Sequence, residues 1–148
     1  MLAPMTDFAA ASSGDGSIYV LGGQFSALVQ TIFTGPGYNS SIAASRFDIA
    51  GNTWYPIRNM QTKRAGLSAV ALGEFIYAIG GHGCDGAQCS VSNSVERYRL
   101  ATNTWEYVAP MSIGRYFQVL ASISWSLTMH MRRVPDRVAL CPMILYRC

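Results

Sequence analysis

Charge is scarce in this chain. Only 13% of its 148 residues are Asp, Glu, Lys or Arg, with one lysine, Lys63, and three glutamates, Glu74, Glu96 and Glu106. Half of the residues are hydrophobic, so the composition excludes a disordered, self-repelling chain. Long apolar runs are missing too. None reaches the roughly 18 to 20 residues that cross a bilayer as a helix, and the opening "MLAPMTDF" has neither a basic start nor an apolar signal core. A soluble protein in the cytoplasm, with no membrane partner, is the expectation. The four cysteines, Cys84, Cys89, Cys141 and Cys148, are too few and too uneven for the framework of a small secreted disulfide domain. Asn39-Ser40-Ser41 fits the N-glycosylation pattern, which stays unmodified without a secretory signal. What the chain does have is 14 Gly and eight Tyr, a mixture that favours strands and tight turns over helices. Its length suits one domain with a real core.

The net charge of +3 is located at one end. Residues 1–116 carry seven Lys or Arg and seven Asp or Glu, which cancel; the last 32 residues carry Arg132, Arg133, Arg137 and Arg147 against Asp136 alone. A basic surface for nucleic acid therefore has no support over most of the chain.

A repeat organises the rest. "RFDIAGNTWYPIRNMQTKR" (residues 46–64) lies on "RYRLATNTWEYVAPMSIGR" (residues 97–115) without a gap, 51 residues apart, with seven of 19 positions identical. An ungapped match of that length marks repeated structural units. In the second unit "AGLSAVALG" alternates small and apolar residues, Gly73-Glu74 can turn the chain, and "FIYAIGG" is an apolar run closed by Gly80-Gly81. That pattern predicts a hairpin whose second strand is buried on both faces. A polar, Gly-rich loop is expected from His82 to Asn93, followed by "SVERYRL", a turn at "ATN", and a fourth strand in "TWEYVAPM" that a proline ends. The first unit repeats the order: "FAAASSG", an Asp15-Gly16 turn, "SIYVLGG" with Gly22-Gly23, and a longer loop over residues 24–43. Two residues without Cβ let the backbone turn sharply where there is little room. Tyr19, Tyr77, Phe47, Tyr98, Trp54 and Trp105 sit at equivalent points of both units and are expected in the core. Arg64 and Arg115 are placed to hydrogen-bond backbone carbonyls of a neighbouring sheet.

A strand closed by Gly-Gly, a variable loop, then "VERY", "TNTW" and "VAPM" followed by Arg resembles the kelch repeat, in which each repeat forms one four-stranded blade of a β-propeller. The spelling is most similar to the kelch-like adaptor proteins. The resemblance implies an all-β fold: an incomplete kelch propeller of two four-stranded antiparallel blades, with a strand of a preceding blade and the start of a following one. Kelch repeats are expected over residues 1–122. "LAPM" at 2–5 ends a preceding blade, 6–60 form the first blade, 61–111 the second and 112–122 the start of a third. Residues 123–148 carry no Gly-Gly, no Asn-Thr-Trp and no hairpin signal, and are expected to be a tail foreign to the repeat. Since propellers close with about four to eight blades, the expectation is a piece of a longer protein, self-association that completes a propeller, or the product of a truncated gene.

In kelch-like adaptors an N-terminal BTB domain recruits cullin-3 and the propeller holds a protein for ubiquitination, on a face lined by the loop after the double glycine and by the linkers between blades. Carried over, the resemblance implicates Gln24, Phe25, Tyr38 and Asn39 in the first loop, His82, Asp85 and Gln88 in the second, and Lys63, Arg64 and Arg115 in the linkers. Gly22, Gly23, Trp54, Gly80, Gly81 and Trp105 are the structural positions. The implied partner is a protein, either a ubiquitination substrate or, in an actin-associated kelch scaffold, a cytoskeletal one. A sugar-modifying or copper-dependent kelch enzyme is the reading from another class. The histidines, His82 and His130, assemble no Ser-His-Asp set, and no carboxylate pair or phosphate loop is evident. No catalytic residues, cofactor or metal are therefore assigned. Within "GGHGCDGAQCS", His82, Cys84 and Cys89 could bind zinc with Asp85, could be an oxidisable pair, or could lie in an inert loop.

Overall fold

The computed structural model describes residues 6–25, 39–85 and 88–118. Eleven strands run through these residues: β1 (Thr6–Ser13), β2 (Ser17–Phe25), β3 (Asn39–Ser40), β4 (Ala44–Asp48), β5 (Thr53–Pro56), β6 (Ser68–Leu72), β7 (Phe75–Ile79), β8 (His82–Asp85), β9 (Gln88–Val91), β10 (Val95–Arg99) and β11 (Thr104–Val108). All pairing among them is antiparallel. The first blade is β1, β2, β4 and β5, in the order β5-β4-β2-β1, and the second is β6, β7, β10 and β11, in the order β11-β10-β7-β6. The expected four-stranded antiparallel blade is thus formed twice. The "LAPM" strand at 2–5, the rest of a third blade at 119–122 and the tail at 123–148 lie outside the described residues.

Local chemistry explains each hairpin. In β1 the inward positions are the small Ala9, Ala11 and Ser13, alternating with exposed neighbours, because this strand packs beside β6 of the next blade. β7 runs between β6 and β10 and is buried along Ile76 to Ile79, as a strand covered on both faces must be. The β4–β5 and β10–β11 turns put Asn52 and Asn103 in the left-handed region, at φ 47° and 53°, which Asn tolerates better than most residues.

The blades are stitched by the same backbone contacts at each step. Gly23 N donates to Arg64 O at 2.8 Å and Gly81 N to Arg115 O at 2.8 Å; Met60 N donates to Ile42 O and Met111 N to Asn93 O, both at 2.9 Å. Asp7, Gly66 and Phe117 share positive φ values of 57°, 59° and 50°, and the chain of bonds Gly66 N to Asp7 O and Phe117 N to Gly66 O links them. The double glycines serve this contact. A Cβ on Gly22 would lie 2.4 Å from Arg64 O, and one on Gly80 2.4 Å from Arg115 O, so the arriving linker needs the space. One hydrophobic cluster spans the join. Ala9, Ala11, Tyr19, Leu21, Ala44 and Met60 come from the first blade and its linker, and Leu67, Ile76, Ala78, Tyr98 and Trp105 from the second.

Two expectations are corrected here. Residues 82–93 are not an unstructured loop: β8 and β9 form a hairpin, and β8 joins the first blade's sheet through the Asn39–Asp85 pairing with β3. The two tryptophans also differ. Trp105 is buried at 7%, donating Nε1 to Arg58 O of the preceding linker at 2.6 Å, whereas Trp54 is 45% exposed and Phe47 only half-buried. Trp105 is covered by the linker arriving from the blade before, and among the described residues nothing plays that part for Trp54.

Candidate functional site

Along one edge of the second blade, the linker, the β8–β9 hairpin and β11 enclose a cleft of about 570 Å³. The linker supplies Gln61, Thr62 and Lys63; the hairpin supplies Gly83, Cys84 and Asp85 from β8 and Gln88, Cys89 and Ser90 from β9; β11 supplies Tyr107. Each wall has a reason to stand. Gln61 Nε2 donates to Trp105 O at 2.9 Å, and the hydroxyls of Thr62 and Tyr107 are 2.8 Å apart. The Lys63 ammonium contacts the Asp85 carboxylate across the mouth, with both side chains substantially exposed. Cys84 and Cys89, opposite each other in the ladder, are joined by a disulfide. β8 itself is anchored on both sides: Cys84 N donates to Ser40 Oγ at 2.9 Å, Ser40 Oγ to His82 O at 3.1 Å, and His82 exchanges two backbone bonds with Ala65.

Arg64 is a correction. Although it sits in a linker, it is 0% exposed and is closed to any partner. Its Nη1 donates to Gly80 O at 2.6 Å and Ser94 O at 3.0 Å, Nη2 to Ser94 Oγ at 2.6 Å, and Nε and Nη2 to Glu96 Oε1 at 3.1 Å. Those carbonyls belong to its own blade, not to a neighbouring one. Glu96, also 0% exposed, accepts from Gln61 N at 2.7 Å and Thr62 N at 3.1 Å, so one carboxylate holds both the arginine and the linker. Burial lowers the guanidinium pKa, and the charge and hydrogen bonds of Glu96 oppose that shift.

The other expected residues divide. Lys63, Asp85 and Gln88 meet in the cleft. Asn39 lies next to it, exposed on β3 and paired with Asp85 and Phe25. Gln24 is half-buried on β2 and donates Nε2 to Asp7. His82 turns away from the cleft, its ring 5.8 Å from that of Tyr116 and 6.3 Å from Phe117, with Nδ1 buried and without a hydrogen-bond partner among the described residues. Arg115 is exposed and contributes its carbonyl to Gly81 N. Phe25 ends β2, and Tyr38 falls outside the described residues. The zinc option for His82, Cys84 and Cys89 is overturned, since the disulfide consumes both thiolates. Sequence reasoning missed Gln61, Thr62, Ser90 and Tyr107. Tyr107 alone carried a signal, the aromatic two places beyond Trp105 on the same strand.

Comparisons with known proteins speak to the repeat and the fold rather than to the cleft. Residues 63–112 match the family model for the Kelch motif. Kelch-like protein 15 of Homo sapiens is 29% identical over 79 residues, covering 53% of this chain and 12% of that protein. Its Gallus gallus counterpart is 28% identical over 79 residues, covering 53% of this chain and 15% of the other. A solved structure of YjhT matches with a TM-score of 0.59 at 18% identity, over 77% of this chain and 30% of that one, a likeness of fold. The chain therefore spans only a small part of the length of these relatives. With two blades built on one plan and residues 63–112 matching the motif, the chain carries a kelch motif in its second blade and is similar to the kelch-like proteins.

Proposed function

We propose that this chain is a protein-binding surface, the substrate-recognition part of a kelch adaptor for a cullin-3 ubiquitin ligase. The observation that carries the reading is the cleft between linker, hairpin and β11, which gathers Lys63, Asp85 and Gln88 with Gln61, Thr62 and Tyr107. Side-chain amides, hydroxyls and one opposed charge pair suit an extended, polar polypeptide, to which they offer both donors and acceptors. Tyr107, 54% exposed, adds the aromatic anchor common at protein interfaces. The reading assigns the chain no catalytic step. Its similarity to kelch-like protein 15 supports the adaptor context.

The test is selection of displayed random peptides on the purified chain, followed by affinity measurement on Gln88→Ala and Tyr107→Ala variants. Selected peptides are expected to lose about tenfold in affinity on each, about 1.4 kcal/mol. Peptides that bind both variants as well as the parent would place recognition elsewhere. The ligase context is tested by co-precipitation of cullin-3 with the protein as its cells make it; absence of cullin-3 would remove that context and leave the binding surface standing.

A further inference from the structure

The cleft has one covalent element, and it stands at its least supported wall. β9 ends the sheet order β5-β4-β2-β3-β8-β9, so among the described residues its outer edge pairs with no strand, and Gln88 to Val91 are all exposed. β8, by contrast, is held by Ser40 and Ala65 as described above. The outer strand is therefore tied to the molecule through its ladder with β8, through Ser92 N to Gly81 O at 2.9 Å, and through the Cys84–Cys89 bond. No buried apolar side chain of β9 supports it. The two sulfurs also differ in setting: Cys84 is 2% exposed, while Cys89 faces solvent.

We propose that Cys84–Cys89 is a thiol–disulfide exchange site whose reduction by a dithiol releases β9 and opens the wall of the cleft. The inference rests on the reading of the cleft as a partner site. A thiolate of the dithiol attacks the exposed Cys89 sulfur, the Cys84–Cys89 bond breaks, and Cys84 leaves as a thiolate that takes up a proton. The second thiolate of the dithiol then attacks the mixed disulfide. Cys89 is released as a thiol, and the reductant departs as its own disulfide, two electrons having passed to the protein. Cys84, buried among its neighbours, remains as a small apolar thiol, so β8 keeps its place. β9 keeps its ladder bonds to a single neighbour and the Ser92 N–Gly81 O bond, a weak hold for a short edge strand. Gln88 and Ser90 move with it, and the cleft loses one side.

The experiment uses the full chain with Cys141→Ser and Cys148→Ser, so that only the pair responds. Hydrogen exchange over residues 82–91 is measured before and after dithiothreitol, and in a Cys89→Ser variant that cannot form the bond. Exchange in β9 is expected to accelerate at least about tenfold in both the reduced and the variant protein, with β7 amides unchanged. A peptide selected on the oxidised chain should then lose about tenfold in affinity on reduction and regain it on reoxidation. Equal exchange in the oxidised and reduced chains would overturn the lock, as would a disulfide that dithiothreitol cannot reach. Faster exchange with unchanged peptide affinity would overturn its control of the cleft. If no peptide can be selected at all, the partner reading fails while the exchange result still decides the lock.

Discussion

The two blades place different residues at one structural position, which allows single side chains to be weighed against an internal control. On the strand after the loop the second unit has Glu96 where the first has Ser45. Among the described residues the buried Arg64 accompanies that buried carboxylate, as expected if neither charge can be buried alone. Replacing Glu96 with Ala leaves a buried guanidinium and strips Gln61 N and Thr62 N of their acceptor. The cost should be about 3–5 kcal/mol in a urea melt. Arg64→Met together with Glu96→Gln should cost less than the sum of the two single changes, because the pair is lost as a unit; strict additivity would show that the pair is not coupled. Asn52 and Asn103 make a second such comparison. Both hold positive φ, but Asn103 Oδ1 also accepts from Arg58 N at 2.8 Å and Tyr98 Oη at 2.9 Å, while Asn52 has no side-chain partner among the described residues. Glycine tolerates the backbone at both sites, so Asn52→Gly should be nearly silent and Asn103→Gly should cost about 1–3 kcal/mol. Equal effects on thermal melting would mean that the conformation, not the cross-blade bonds, selects asparagine.

At the scale of the element, the β1–β2 hairpin turns on Asp15. Its carboxylate accepts from the Ser13 and Tyr19 hydroxyls and from Ser17 N. Burial pushes its pKa up, yet these hydrogen bonds prevail and hold it below the usual carboxylate range. A carboxylate depressed on folding contributes stability above its unfolded pKa, and that contribution is lost as pH falls through the folded one. Asp15→Asn should therefore be less stable than the parent near neutral pH, with the gap narrowing below about pH 4. A gap of constant size from pH 7 to pH 2 would remove the carboxylate from the account. This hairpin was legible because Asp15-Gly16 states its turn locally, and so was β7, whose apolar run and double glycine can mean little else. The β8–β9 hairpin was not. "HGCDGAQCSV" has no apolar alternation, and its strands form because Ser40 and Ala65 of other segments pair with β8, a cause that lies outside the segment. The same reason hid Gln61 and Thr62 from view, since neither becomes part of a cleft until the hairpin folds over the linker. Trp54 erred in the other direction: its pattern equals that of Trp105, but burial depends on a neighbouring linker that the pattern does not contain.

At the scale of the molecule, the question is whether two blades behave as one object. Cross-blade contacts answer it. Arg58 donates to Asn103 and accepts from Trp105, and Gly23 N donates to the carbonyl of Arg64. Since the apolar cluster draws on both blades, exposing one blade opens a core wall of the other. In repeat arrays, stability divides into intrinsic repeat terms and interface terms, and a strong interface makes neighbours unfold together. Urea unfolding followed by tryptophan fluorescence, to which the buried Trp105 should contribute most of the change, should therefore coincide with unfolding followed by the exchange of Leu21 in β2 and Ile76 in β7. Weakening the interface at one point separates the cases. Trp105→Phe removes the bond to Arg58 O while keeping an aromatic ring, and should move both transitions down together. If the β2 amides hold their midpoint while the β7 amides shift, the blades are independent folding units, and the shared core contributes packing without cooperativity.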